Sequence, residues 1–395
     1  MKQPPGYEQG DPSLVCKLTK ALYGLKQAPR EWYYKLAGGL REIGFEATKS
    51  DISVFIQNHR GLKTYVLVYV DDIIVTGEST ELVKEVIAKL NDKFALKDMG
   101  DLHYFLGIQV NKTCDKGLIL TQQKYIHELL KKAGMVGCAP CHTPLPSTVK
   151  ITALGGSSFC DPQLYRSIIG SLQYLTITRP EICYSVNKLS QFVQAPLESH
   201  WKLVKRVLRY LSGTSSYGLH LKRETSLGIT TYSDSDWAGD PDDRKSTSGY
   251  CIFLGTNLIS WTSKKQTVVA RSSTEAEYRS MAEAVAELTW IKTMMRELLH
   301  PLPEAPMLYC DNLSAVLLAA NPILHSKSKH FEIDLHFVRD FVNSKAIQVS
   351  HIPGSVQVAD ILTKAIPSEN LLHFRGRLSV HNQQQMTATE DSGDA

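Results

Sequence analysis

The sequence predicts a multidomain α+β and α/β chain: an αβ module, a mostly helical stretch, and a second αβ module built on a mixed sheet with flanking helices. Three observations predict it. The run TYVLVYVDDIIVTG (64–77) sets β-branched and aromatic residues on both sides of Asp71-Asp72, which reads as a tight hairpin. From about 147 to 225 apolar residues recur at helical spacing. From Gly228 onward, three strand-like runs are followed by helix, strand, helix, strand, helix. At 395 residues the chain also exceeds the roughly 250–300 residues at which single cores stop growing.

Each element has its own signal. Residues 1–30 are turn-rich, and a helix over 30–43 carries Trp32, Tyr33 and Tyr34. A strand over 53–57 precedes the hairpin. Leu82, Val83, Val86, Ile87, Leu90 and Phe94 then mark a helix that Ser79 or Thr80 caps. This first αβ pattern ends near Pro146. Leu172, Leu175, Val186, Leu189 and Phe192, then 201–211, mark the helical stretch. In the second module, 229–232 is a strand ending at Asp234. Residues 250–254 and 259–262 form a hairpin through Gly255-Thr256-Asn257, and 267–270 extends the meander. A long helix over 274–299 has Met281, Val285, Leu288, Ile291, Met295 and Leu298 on its buried stripe. Strands at 307–310 and 347–351 and a last helix over 356–366 complete the module. The polar, acidic segment 383–395 reads as disordered.

Composition narrows the class. A hydrophobic fraction of 43% and a charged fraction of 21% fit a globular protein. With 44 Lys plus Arg against 40 Asp plus Glu, the net charge of +4 does not by itself argue for a nucleic-acid partner. The eight cysteines read as reduced thiols, because a chain this long buries a core without disulfides. Cys138-Ala-Pro-Cys141-His142 has the form of a haem-attachment string or half a zinc site. It lacks a second half and sits among Pro140, Pro144 and Pro146, so it reads as a connector. No run reaches the roughly 18 apolar residues that span a bilayer, and the N-terminus has no apolar signal core. The expectation is a cytoplasmic or nuclear protein, not a secreted one.

Four acids stand apart. Asp234 and Asp311 each close a predicted strand, Glu277 lies in the first turn of the long helix, and Asp360 lies in the last helix. Each has a structural explanation: an acidic turn with Asp236, Asp240, Asp242 and Asp243, a capping box from Thr274, a helix cap, and a first-turn charge on the dipole. Together, on four separate elements at the carboxyl edge of a sheet, they form the kind of convergent set that two-metal phosphodiester cleavage needs.

The strings YSDSDWAGDPDDRKSTSGY (232–250), ISWTSKKQ (259–266), ARSSTEAEYRSMAEA (270–284), LYCDNLSA (308–315), SKHFEIDLHF (328–337) and ADILTK (359–364) closely resemble the RNase H domain of copia-type retrotransposon Pol polyproteins. The resemblance implies that Asp234, Glu277, Asp311 and Asp360 hold two Mg²⁺ ions, with Mn²⁺ as a substitute. They would cut the RNA strand of an RNA–DNA hybrid. It favours Asp234 over Asp236, because Tyr232-Ser233-Asp234 matches the family's strand end. His351 is the nearest candidate for the mobile histidine of many RNases H, although it reads as part of the strand. His325, His330 and His336 have no matching cysteine pair and read as structural or substrate-contacting.

The first module carries a second resemblance. YVDD (69–72) is the polymerase hairpin of reverse transcriptases, LTKALYGLKQAPREWY (18–33) resembles the segment beside the nucleotide, and HYFLGIQV (103–110) resembles the stretch near the primer. Residues 165–211 resemble the thumb and connection. The resemblance implies Asp71 and Asp72 as catalytic acids, with Asp71 on metal. It places Tyr69 and Gln27 near the incoming nucleotide and Lys202, Lys205, Arg206 and Arg209 along a nucleic-acid backbone. The partners would be an RNA–DNA hybrid and a template–primer, with no membrane and no small-molecule cofactor. In the family MKQPPG follows a strand bearing a third polymerase Asp. Here the chain begins at MKQPPG, so the fingers, part of the palm and that acid are expected to be absent, along with capsid, protease and integrase parts. The expected organisation is therefore 1–146 partial reverse-transcriptase palm, 147–225 thumb and connection, 226–366 RNase H domain, and 367–395 a disordered tail. The location would be the cytoplasm, in the virus-like particle of the parent element, or the nucleus. The alternative is an inactive relic or a non-enzymatic nucleic-acid binder.

Overall fold

Alternating burial over Leu62–Tyr69 marks the central strand of a meander over 54–77. The computed structural model describes residues 1–387 except 12, 23 and 322–330. Its first unit comprises Met1–Leu102 and Glu297–Leu299. Helix α1 (Ala28–Glu42) has a proline in its first turn and buries Leu36, Ala37 and Leu40. Strands β1 (Glu46–Ala47), β2 (Val54–His59), β3 (Leu62–Tyr69) and β4 (Asp72–Gly77) follow in sheet order, with every pairing antiparallel. Helix α2 (Thr80–Lys93) begins where Ser79 Oγ accepts the Leu82 N–H at 3.3 Å. Phe55, Val66, Val68, Val86, Leu90 and Phe94 join the α1 residues in one core. Full burial of each such side chain stabilises the unit by roughly 1.5–3 kcal/mol.

The second unit comprises His103–Arg296 and His300–Ala395. It opens with β5 (Tyr104–Phe105), β6 (Ile108–Lys112), β7 (Leu118–Thr121) and α3 (Gln123–Lys132). Residues 103–146, grouped with the first module by sequence pattern, thus pack here. Helices α4 (Pro162–Leu175), α5 (Cys183–Ser190) and α6 (Glu198–Gly213) form the helical stretch, and β8 (Tyr217–Leu221) ends it. The polar centre of that stretch is a fully buried ion pair, Arg179 to Glu181 at 2.6 Å, with Arg179 also donating to Thr214 O at 2.8 Å.

The mixed sheet comes next. Strands β9 (Ile229–Asp236), β10 (Thr247–Leu254) and β11 (Asn257–Lys265) form an antiparallel meander. Helix α7 (Ser273–Glu297), β12 (Met307–Cys310), α8 (Leu313–Ala320), α9 (Glu332–Asn343) and β13 (Gln348–His351) follow. The sheet order is β11-β10-β9-β12-β13, with β12 parallel to both β9 and β13. The order of strands and helices expected for the second module is present, except that two helices, α8 and α9, stand between β12 and β13 where one was expected. Met281, Val285, Leu288 and Ile291 of α7 are buried against Ile252 and Leu308 of the sheet.

Four expectations need correction. Residues 267–270 form no strand; Val268 and Val269 are 44% and 49% exposed, and the chain turns instead into α7. The last helix is broken into a 3₁₀ turn at Gly354–Val356 and a single turn, α10 (Asp360–Thr363), so Asp360 begins its helix. Asp234 lies inside β9, two residues before its end. The tail is also structured as far as residue 387. Helix α11 (Ser368–Arg377) buries Leu371 and Phe374, β14 (Val380–Asn382) pairs with β8, and α12 (Gln383–Thr387) follows. These residues complete the sheet β14-β8-β7-β6-β5. Residues 388–395 lie outside the described part.

Candidate metal centre

Asp234 is held in the sheet by the neighbouring strand β10. It pairs with Gly249 across β9 and β10, and it is 4% exposed. Its carbonyl accepts Ser280 Oγ at 2.8 Å, and Ser280 also reaches Gly249 O at 3.2 Å, which pins α7 to the sheet. Glu277, one turn earlier on α7, is thereby held next to the strand, and it is 6% exposed. Asp311 follows directly on β12 and Asp360 opens α10.

Gly249 lets α10 approach. A Cβ at that position would stand 2.7 Å from Thr363 Cγ2 and 2.8 Å from Leu362 Cβ. The absent side chain brings Thr363 to Asp234, where its hydroxyl donates to Oδ2. Gln357, fully buried, donates to Ser233 O at 2.9 Å and fixes the approach to α10.

The result is a shared cluster. One ligand atom each from Asp234, Asp311 and Asp360 lies within 4.8 Å of the others, and the same holds for Glu277, Cys310 and Asp311. Crowded carboxylates in a dry site resist ionisation. Burial, then Asp234 and Asp311, pushes Glu277 up to about 9. Burial, then Asp234, pushes Asp360 up to about 7, against the pull of Lys364. Asp311 is raised for the same first two reasons. Lys364 Nζ lies 2.7 Å from Asp360 Oδ1. Burial pulls that ammonium down, but Asp234, Asp360 and Asp311 more than offset it and its pKa is raised. A buried set of acids that disfavours its own charge is chemically matched to a divalent cation.

The remaining sequence candidates sit as follows. Asp236 stands outside the cluster; its carboxylate accepts the Thr247 N–H, and burial raises it to about 7. His351 ends β13, and its Nε2–H donates to Asp311 O at 3.1 Å, so it braces the site's backbone. His325 and His330 lie outside the described residues; His336 is exposed beside Glu332 on α9. Cys141 Sγ points to Arg206 O at 3.2 Å, within the connector. Arg206 Nη2 donates to Thr143 Oγ1 at 2.7 Å and Arg209 Nε to Ala139 O at 2.7 Å. Lys202 is exposed and Lys205 half-buried.

In the first unit, Tyr69 pairs with Asp72 across a two-residue turn, Val70-Asp71. Val70 has φ 52°, in the left-handed region that β-branched residues rarely adopt. Trp32 Nε1 donates to Val70 O at 2.7 Å and holds the tip. Tyr69, Asp71 and Asp72 are exposed, as is Gln27, the residue before α1. Among the described residues, Asp71 and Asp72 belong to no group of three metal-competent side chains.

Pattern reading missed Trp32, Ser280, Cys310, Gln357, Thr363 and Lys364. All of these but Trp32 had a signal, their closeness in sequence to Glu277, Asp311 or Asp360.

Comparison with known proteins places this chain. Residues 1–147 match the family described as reverse transcriptase (RNA-dependent DNA polymerase). The retrovirus-related Pol polyprotein from transposon RE1 of Arabidopsis thaliana is 47% identical over 381 residues, 96% of this chain and 26% of that protein. The putative transposon Ty5-1 protein of Saccharomyces cerevisiae is 32% identical over 291 residues, 73% of this chain and 94% of that one. Among solved structures, a foamy viral protease-reverse transcriptase in complex with dsDNA matches at TM-score 0.48 and 14% identity, over 84% of this chain and 60% of that chain. LC11-RNase H1 in complex with an RNA/DNA hybrid matches at TM-score 0.28 and 16% identity, over 34% of this chain and 93% of that one. The chain spans about a quarter of the length of the curated Pol polyproteins that head its matches. With identity of this order across nearly all of its residues, the chain belongs to the copia-type retrotransposon Pol polyprotein family.

Proposed function

We propose that this chain hydrolyses the RNA strand of RNA–DNA hybrids at the Asp234, Glu277, Asp311 and Asp360 centre, within an RNase H domain spanning 226–366. The observation that carries the reading is the convergence of Asp234, Asp311 and Asp360 within 4.8 Å from three separate elements, with Glu277 buried beside them. These acids would hold two Mg²⁺ ions, with Mn²⁺ as a substitute. When bound, the ions supply Lewis acidity for the attacking water and the leaving oxygen. The protein's own share is positioning. Thr363 orients Asp234, His351 braces the Asp311 backbone, and Lys364 keeps a positive charge beside Asp360. Cleavage leaves 3′-hydroxyl and 5′-phosphate ends.

In this reading residues 1–146 carry reverse-transcriptase palm elements, with Asp71 and Asp72 at the hairpin tip, Asp71 toward metal, and Tyr69 and Gln27 toward the nucleotide. Residues 147–225 form the thumb and connection, where exposed Lys202 and half-buried Lys205 are free to meet a nucleic-acid backbone. The test is cleavage of an end-labelled RNA–DNA hybrid by the whole chain. Wild type should cut with Mg²⁺, and Asp234→Asn should lower the rate at least 100-fold. Equal cutting by both removes the assignment; tight hybrid binding by both without cutting supports a non-enzymatic relic.

A further inference from the structure

We propose that the second unit holds an anion site outside the metal centre, built to take a phosphoryl group. A cavity of about 150 Å³ opens between α5, the connector before α4 and the loop joining β9 to β10. That is room for a phosphoryl group with a few waters, at about 30 Å³ per water. Lys188 and Tyr184 of α5, Lys150 of the connector, Arg244 and Gly239 of the loop, and Ala365 after α10 line it. Three cations therefore face this space, and no carboxylate lines it.

Lys188 is the decisive residue. It is 6% exposed, and its Nζ donates no hydrogen bond. The nearest carboxylate oxygen recorded for it, Asp240 Oδ2, is 3.6 Å away, too far for one, and that oxygen accepts Lys265 Nζ at 2.8 Å. Asp240 Oδ1 accepts the Asp242 N–H at 3.0 Å. Asp240 is thus shared between Lys265 and Lys188, and the buried ammonium has an ion-pair partner and the Tyr184 ring beside it but no hydrogen-bond acceptor for its three N–H groups. A buried donor without an acceptor is costly, and an ion pair too long for a hydrogen bond leaves that need unmet. A phosphoryl oxygen meets it. Lys150 and Arg244, exposed at the mouth and in no recorded ion pair among the described residues, add long-range attraction.

The walls are held in shape. Asp242 accepts from Thr152 Oγ1 and, at 2.7 Å, from the Ala153 N–H, which ties loop to connector. Ala238 and Arg244 both have positive φ, 53° and 58°, in a loop that Asp240 stitches together. Strain of this kind persists only where surrounding contacts enforce it. Gly239 lies five residues past Asp234 and Ala365 five past Asp360. Each wall therefore comes within about 17 Å of a metal-centre acid. The phosphoryl group has two sources, a phosphodiester of a bound nucleic-acid strand or free inorganic phosphate.

The test uses the whole chain in EDTA, which makes it independent of the nuclease reading. Inorganic phosphate should raise the unfolding temperature saturably, beyond chloride at equal ionic strength, and Asp234→Asn should keep that response. Lys188→Met should weaken the apparent phosphate affinity at least 10-fold, and the mouth variant Lys150→Ala/Arg244→Ala several-fold. In a second arm, anisotropy of a labelled hybrid is followed against salt. A slope of log K on log salt reduced by about one in the mouth variant assigns a phosphodiester. An unchanged slope with a retained phosphate response assigns the free ion. If Lys188→Met does not fold, the mouth variant alone decides. A phosphate response no larger than that to chloride, or one identical in wild type and the mouth variant, overturns the proposal.

Discussion

Removing one charge from the acid cluster should stabilise the metal-free protein. After burial, the negative charge of Asp234 raises Glu277, Asp311 and Asp360. Asp360, 14% exposed, moves from 3.8 to about 7, and three units correspond to roughly 4 kcal/mol against its ionised form. Burial is the larger cause and survives Asp234→Asn, so only part of this is relieved. The variant also weakens the Thr363 hydrogen bond and the attraction to Lys364, which together offset about 1 kcal/mol. A net gain of about 1–2 kcal/mol remains, or about 1–3 °C in unfolding temperature for a unit of this size. Its pH dependence has a definite sign. A carboxyl raised in the fold holds its proton while the unfolded chain has lost it, so stability falls as pH rises between the two pKa values. For Asp360 that window runs from about 4 to about 7, and for Glu277 it extends to about 9. The advantage of Asp234→Asn should be absent at pH 4 and greatest near pH 9. Urea unfolding in EDTA at both pH values measures it. Excess Mg²⁺ should reverse the order, because only the wild type gains the full binding energy. An Asp234→Asn chain less stable than wild type at pH 9 without metal, or a gap that ignores pH, would refute the electrostatic account.

Other substitutions probe other parts. Gly249→Ala places a methyl against Thr363 and Leu362 and should cost about 1–3 kcal/mol, with at least a 10-fold weaker Mg²⁺-dependent thermal shift as α10 retreats. Val70→Asn relieves a β-branched residue at positive φ and should slow amide exchange of the hairpin by about 1 kcal/mol of opening energy; faster exchange would count against strain there. Arg209→Ala loses its bonds to the carbonyls of Ala139 and Pro140 and should lower stability by about 1–2 kcal/mol while leaving the salt slope of hybrid binding in place. Lys202→Ala should do the opposite, reducing that slope by about one with no loss of stability.

The sequence was most legible where burial repeats locally. The hairpin around Asp71, the α2 stripe from Leu82 to Phe94, and the succession of β9 to β13 follow from periods of two and 3.6 residues. It was least legible where local pattern conflicted with distant packing. Residues 267–270 have strand-forming valines but turn into α7 instead of pairing, and polar residues 380–387 gain order from β8, β7 and α11. Arg206 and Arg209 look like a charged face until the connector at 139–143 returns to cover them.

By itself the sequence determined most strands and helices of the two αβ modules, the four acids on or beside them, and the family whose strings they match. Those are properties of neighbours along the chain, where apolar spacing and capping act over a few residues. Only the tertiary structure decided that Asp234 meets Thr363, 129 residues away, and that Gly249 is the gap through which they meet. The same holds for Asp240, shared between Lys265 and the buried ammonium of Lys188, which has no hydrogen-bond acceptor. Contacts of that kind depend on how sheets and helices close on one another, and steric fit and burial at long range leave no local period to read.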